Sequence, residues 1–116
     1  MIFILFVLHD TAQIDPVLEA WENAGVSGIT ILPSTGLRRR KKSASLREDF
    51  PLIPSLQDML SYDESLNRTL FTVVKDQEIA DRVLAATQEV VGDLNLPNTG
   101  ILVMLPVLQA YGLNRI

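Results

Sequence analysis

A chain of 116 residues is long enough for one domain with its own core and too short for a catalytic domain with a separate regulatory one. Its zero cysteines exclude a disulfide framework, thiolate zinc sites, iron–sulfur ligation and a cysteine nucleophile. The net charge of −4 is unevenly spread: Arg38, Arg39, Arg40, Lys41 and Lys42 are consecutive, and without them the charge would fall to −9, so an acidic body carries one cationic spot, which argues against general coating of nucleic acid.

The hydrophobic fraction of 47% and mean hydropathy of +0.22 exclude disorder for most of the chain and predict apolar surface buried between subunits. Residues 1–8 form the longest apolar run, well short of the roughly 18 residues of a membrane span, and they lack the basic flank and cleavage region of a signal peptide. The expectation is a cytoplasmic protein with no membrane insertion.

Residues 2–8 are continuous, β-favouring and apolar, as suits a strand covered on both faces. After His9 and Asp10, apolar residues recur at Ile14, Val17, Leu18 and Trp21. With Asp15 and Pro16 early and Gly25 as a stop, this predicts a first helix. Residues 28–32 read as a second strand ended by Pro33, which cannot donate to a ladder. Residues 68–74 have strand composition. Asp76 is a candidate N-cap for a second helix with the stripe Ile79, Val83, Leu84 and Val90, closing near Gly92. Residues 100–105 make a fourth strand, with Pro106 at its end.

The order βαββαβ predicts an α+β, ferredoxin-like single domain spanning 1–116: a four-stranded antiparallel sheet with two helices on one face. A long insertion, 33–67, separates strands two and three, where two to five residues would suffice. Its first part, 36–49, is polar and basic and is expected to be mobile. Its second part supplies Leu52, Ile53, Leu56, Met59 and Leu60, which are expected to dock on the body.

With this strand order and loop placement, Ala24-Gly25-Val26-Ser27-Gly28-Ile29-Thr30-Ile31 resembles the helix-to-strand signature of the PII-type nitrogen-regulatory signalling family, and Gly36 falls where that family places a glycine at the base of its T-loop. The resemblance covers nearly the whole chain. It implies a homotrimer, a small-ligand cleft between subunits and a long loop that meets a target. The chain departs from the family in its nucleotide contacts. The stretch after helix two, 92–100, has no lysine and adds Asp93, where nucleotide-binding members use glycines and lysines to hold phosphate. The family's basic pair after the last strand is also missing, since Tyr111 and Leu113 occupy that region and only Arg115 remains. Tyr62, at the far end of the insertion, does not match a uridylylated loop tyrosine.

The run 38–42 is the sharpest feature, because five adjacent cations repel one another unless an anion compensates them. Arg38, Arg39 and Arg40, with Thr30 and Gly36, are the candidate ligand-binding residues; Lys41 and Lys42 are the candidate partner contacts. A trimer would present three such runs to one acidic partner or small anionic ligand. Ser43 and Ser45 follow the run in a context that basic-directed kinases accept, and a phosphate there would cancel charge, although serines are common in loops. Asn67-Arg68-Thr69 is formally a glycosylation sequon, without meaning in a cytoplasmic strand.

The single histidine, His9, beside Asp10, reads as the turn that starts helix one. No metal site, no catalytic residues and no identifiable cofactor follow from it. The leading reading is a non-enzymatic PII-like regulatory protein that senses a small ligand and acts on a partner through its loop. A CutA-like divalent-cation-binding trimer and a small ferredoxin-fold enzyme are the alternatives, the first weakened by the lack of cysteine and the single histidine, the second by the lack of a nucleophile–base pair.

Overall fold

The computed structural model describes residues 1–36 and 67–113. The basic run 38–42, Ser43, Ser45, the apolar cluster 52–60, Tyr62 and Arg115 lie outside those residues. Elements follow in the order β1 (Ile2–Leu8), α1 (Ile14–Ala24), β2 (Thr30–Ser34), β3 (Asn67–Val74), α2 (Gln77–Val91) and β4 (Ile101–Pro106). The strands form one sheet in the order β2-β3-β1-β4, with every neighbouring pair antiparallel. This is the predicted α+β, ferredoxin-like plan.

Alternation along the two central strands makes the core. Ile4, Phe6 and Leu8 of β1 and Leu70, Thr72 and Val74 of β3 are buried, and the register pairs Ile4 with Thr72 and Phe6 with Leu70, so all six share one face. Val17, Trp21 and Ala24 of α1 and Ala80 and Val83 of α2 complete that core, which places both helices on the same side of the sheet. Asp76 caps α2 by accepting the Ile79 N–H at 3.0 Å, and α1 ends at Gly25 in the left-handed region, φ +112°. Asp10 accepts the Ala12 N–H at 3.1 Å and opens a 3-10 turn, Thr11–Gln13, ahead of α1, so His9 and Asp10 do form the expected turn.

Several boundaries differ from expectation. β2 runs through Pro33 to Ser34, because it is an edge strand whose outer side has no partner to miss an N–H. It also starts later, at Thr30, because Gly28 gives its carbonyl to the Thr72 hydroxyl and not to the ladder. β3 begins one residue earlier, at Asn67, and β4 spans Ile101–Pro106, again with a proline at a sheet edge. On α2 the buried line is Ala80, Val83 and Thr87, with Ile79 and Val90 packed beside it. Leu84 is only half-buried and stands outside that cluster.

The opposite face of the sheet carries Phe3, Leu5 and Val7, Phe71 and Val73, Ile101, Val103 and Leu105, and Leu32, set side by side by the strand registers. No helix of the described residues covers it. Ile101 is 56% exposed, Leu105 51% and Leu32 48%.

Candidate functional site

A cleft opens where this uncovered face meets the end of the α1–β2 connection. The local sequence builds it in steps. Gly25 turns the chain out of α1, its N–H donating to the Glu22 carbonyl at 3.1 Å, and the Val26 N–H reaches back to the Trp21 carbonyl at 3.1 Å. Val26 is buried, which anchors the turn, and Ser27, Gly28 and Ile29 then run outside both helix and strand until β2 begins. The Thr72 hydroxyl holds this segment by donating to the Gly28 carbonyl.

Phe3 and Phe71, with ring centroids 5.7 Å apart and planes tilted by 36°, form the aromatic part of the wall. From the other side comes the segment after β4. Val107 donates its N–H to the Met1 carbonyl at 3.0 Å, and Gly112, at φ +89°, turns the chain so that Leu113 faces the cleft. The space measures about 590 Å³, and its lining consists of Phe3, Ser27, Gly28, Ile29, Thr30, Phe71, Thr72, Val73, Gly112 and Leu113. That volume falls within the usual range for small-molecule sites. Among the described residues, every lining side chain is uncharged.

Of the sequence-predicted site residues, Thr30 lies in this cleft and is exposed. Gly36 does not. It sits beyond the far end of β2, six residues on, which is about 20 Å along an extended chain. Its φ is not positive, and a Cβ there would meet nothing within 4 Å, so neither backbone conformation nor space requires glycine. One chain thus keeps Thr30 and Gly36 apart. Around Gly36 the root of the insertion is polar: Thr69 donates to Ser34 Oγ at 2.8 Å, Arg68 donates to the Asn67 carbonyl at 3.1 Å, and Thr35 Oγ1 is buried without a hydrogen-bond partner. Asn67, the sequon asparagine, is a buried β3 residue, only 4% exposed.

The connection from α2 to β4 is a closed polar turn. Gly92 N–H donates to the Gln88 carbonyl at 2.9 Å, Leu94 N–H to Gln88 Oε1 at 3.1 Å, Asn95 N–H to Asp93 Oδ1 at 2.9 Å and Leu96 N–H to the Asp93 carbonyl at 3.0 Å. A phosphate-binding nest needs such amides free and converging. Here the amides of Gly92, Leu94, Asn95 and Leu96 are already engaged, and Asp93 adds a carboxylate.

Sequence reasoning missed the cleft walls at Phe3, Phe71, Gly112 and Leu113. Phe3 sits in a strand apolar throughout and Phe71 in a run, Leu70-Phe71-Thr72-Val73-Val74, that is mostly apolar, so alternation does not single them out, and the path of the segment after β4 leaves no periodic signal. Among the described residues there is no group of three or more His, Asp or Glu side chains placed to hold a metal ion, and no helix is long and apolar enough to cross a membrane.

No family model matches the chain, and no curated protein matches it. Among solved structures it is similar to B. subtilis GlnK, a PII protein, with 11% identity over 91% of this chain and 84% of that chain and a TM-score of 0.49.

Proposed function

We propose that the chain is a non-enzymatic, PII-like regulatory protein of the cytoplasm that works as a homotrimer, takes a small ligand into a cleft between subunits, and contacts a partner through its long insertion. The observation that carries this reading is the uncovered apolar face with the Thr30 cleft at its border. Among the described residues, Leu32 of β2 and Ile101, Val103 and Leu105 of β4 are left exposed there, which is stabilising only if another surface covers them, and closed symmetry among identical chains is the commonest way to do so.

The distance between Thr30 and Gly36 supports the same arrangement. Six residues, up to about 20 Å of extended chain, separate Thr30 in β2 from Gly36 beyond its end, a span that two different subunits would close around a single small molecule. In this reading Thr30 of one subunit and Gly36 with Arg38, Arg39 and Arg40 of the next border the ligand, while Lys41 and Lys42 reach the partner. Ser43 and Ser45 are the positions at which phosphorylation would weaken that contact by cancelling neighbouring charge. A ligand shifts the insertion between states only through different affinities for them, so ligand and partner must change each other's binding by the same factor.

Sedimentation equilibrium combined with a thermal-shift screen of nucleotides, 2-oxoglutarate, bicarbonate and divalent metals tests the reading. A trimer stabilised by one of the small molecules supports it. A 12.9 kDa species at all concentrations overturns it.

A further inference from the structure

We propose that the outer groove between α1 and α2 docks a basic amphipathic helix of a partner protein. This goes beyond the function proposed above, since the groove lies on the side of the helices turned away from the sheet and draws its lining from the two helices alone.

The groove follows from where alanine stands. Its floor is Ala20 and Ala24 of α1 and Ala85 and Ala86 of α2, and the space above them measures about 490 Å³. Val17, Trp21, Val83 and Thr87 face the core, with the Trp21 indole bonded to the Thr87 hydroxyl at 2.8 Å, so the two helices are fixed to each other beneath the seam. Methyl side chains on the outer side let a third helix come close and bury an apolar stripe, which is what helix-in-groove recognition requires.

Charge chooses the occupant. α1 carries Asp15, Glu19 and Glu22 and no base, while α2 carries Glu78, Asp81 and Glu89 against Arg82, and all of these side chains are exposed. Glu19 and Glu89 rim the groove itself, one from each helix. An acidic helix would meet repulsion there, whereas a basic one meets a carboxylate on either side. The groove also has a direction. α1 leaves β1 at its Leu8 end and α2 leaves β3 at its Val74 end, which pairs with Ile2, so the helices run antiparallel. Glu19 and Glu89 therefore stand towards one end and Arg82 towards the other, seven residues or about 10 Å from Glu89 along α2. The helix that fits carries two basic residues one turn apart and an acid one turn further on.

The probe is an alanine- and glutamine-based helical peptide of about four turns, with two lysines four residues apart and a glutamate three residues after the second, titrated into the full chain by two-dimensional amide NMR. It is expected to shift the amides of Ala20, Asn23, Ala85 and Ala86. A peptide with its charges exchanged, and one of the same composition interrupted by proline, should each bind at least about tenfold more weakly. Ala85→Phe, at an exposed helix position, fills the groove and should abolish binding. Glu19→Gln combined with Glu89→Gln should weaken it several-fold at low salt and less at high salt. The Trp21 indole resonance is the control for the core in every variant. The proposal is overturned if either altered peptide binds as well as the probe, if binding survives both Ala85→Phe and the double glutamine variant, or if none of those amides moves. It is overturned too if the probe binds only after Arg38, Arg39, Arg40, Lys41 and Lys42 are replaced by glutamine, because the groove then belongs to this chain's own basic run. Sedimentation of the same samples separates the two readings: a monomer that binds the probe sinks only the trimer, and a trimer that ignores it sinks only the docking groove.

Discussion

The indole N–H of Trp21 donates to the Thr87 hydroxyl oxygen across 2.8 Å, joining α1 to α2 over 66 positions of sequence inside the core. Both side chains are fully buried, and the Thr87 hydroxyl donates its own hydrogen bond to the Val83 carbonyl at 2.6 Å, so the pair satisfies every donor it brings into the interior. Thr87→Val keeps the shape and strands the indole N–H. Stability should fall by about 1–3 kcal/mol, the cost of leaving a buried donor unmade, and Thr87→Ser should recover much of it. Urea unfolding followed by Trp21 fluorescence measures both; a Val variant as stable as the parent would show that the bond contributes nothing.

Two glycines should respond oppositely to alanine. At Gly100, φ is +136° and a Cβ would lie 2.6 Å from the Val7 carbonyl oxygen and 2.7 Å from Phe6 Cε1, so backbone strain and overlap with the core strand combine. Gly100→Ala should cost about 1–3 kcal/mol or more. Gly36→Ala should stay within about 0.5 kcal/mol, since nothing crowds that position. Equal melting temperatures for the two variants would contradict this.

The same glycines show what was legible in the sequence. Elements whose signal is local came through: the α1 stripe ending at Gly25, the Asp76 cap of α2, the continuous apolar run of β1. Pro33 was misjudged because its meaning depends on neighbours in space. Pro33 breaks a central strand but is tolerated in β2 because β2 lies at the edge, a fact of strand order and not of residue type. Leu84 was assigned to the buried stripe because it is apolar, whereas the smaller Ala80 and the hydroxyl-bearing Thr87 hold the core positions. Thr30 was found through a family resemblance, but the rest of its cleft comes from β1, β3 and the segment after β4, and no single stretch of sequence announces that convergence.

The uncovered sheet face predicts a quaternary effect. Val103 lies on β4 opposite Leu5, on that face, 40% exposed in the single chain. Val103→Lys places a charge where an apolar partner is expected and should convert the proposed trimer to monomers with the far-ultraviolet circular dichroism retained. Sedimentation that shows the trimer intact would move the interface elsewhere.

ATP should bind weakly if at all. The α2–β4 turn lacks lysine, adds Asp93 and has engaged the amides of Gly92, Leu94, Asn95 and Leu96 internally, so it compensates phosphate charge poorly. A ligand at about 100 times its Kd stabilises the native state by about 2.7 kcal/mol, so millimolar ATP that leaves the melting temperature unmoved sets a weak limit on affinity. Submicromolar ATP binding that survives neutral substitutions at 38–42 would refute the argument.

The basic run gives the final prediction, and it rests on charge alone. Replacing Arg38, Arg39, Arg40, Lys41 and Lys42 with glutamine takes the net charge from −4 to −9. Five adjacent like charges repel one another, so their removal should leave the melting temperature unchanged or slightly higher. Binding to a polyglutamate peptide should be lost, and in the parent it should weaken steeply as salt rises, because exposed charges separated by more than a Debye length are screened. In the proposed trimer three runs would act as linked sites, so avidity for a long acidic chain should exceed that for a short one. Combining the two surfaces sharpens the test: in Val103→Lys, where each monomer carries one run, affinity for short polyglutamate should persist while the advantage of the long chain disappears. Equal loss on both peptides would mean that the run and the sheet face are not coupled through assembly.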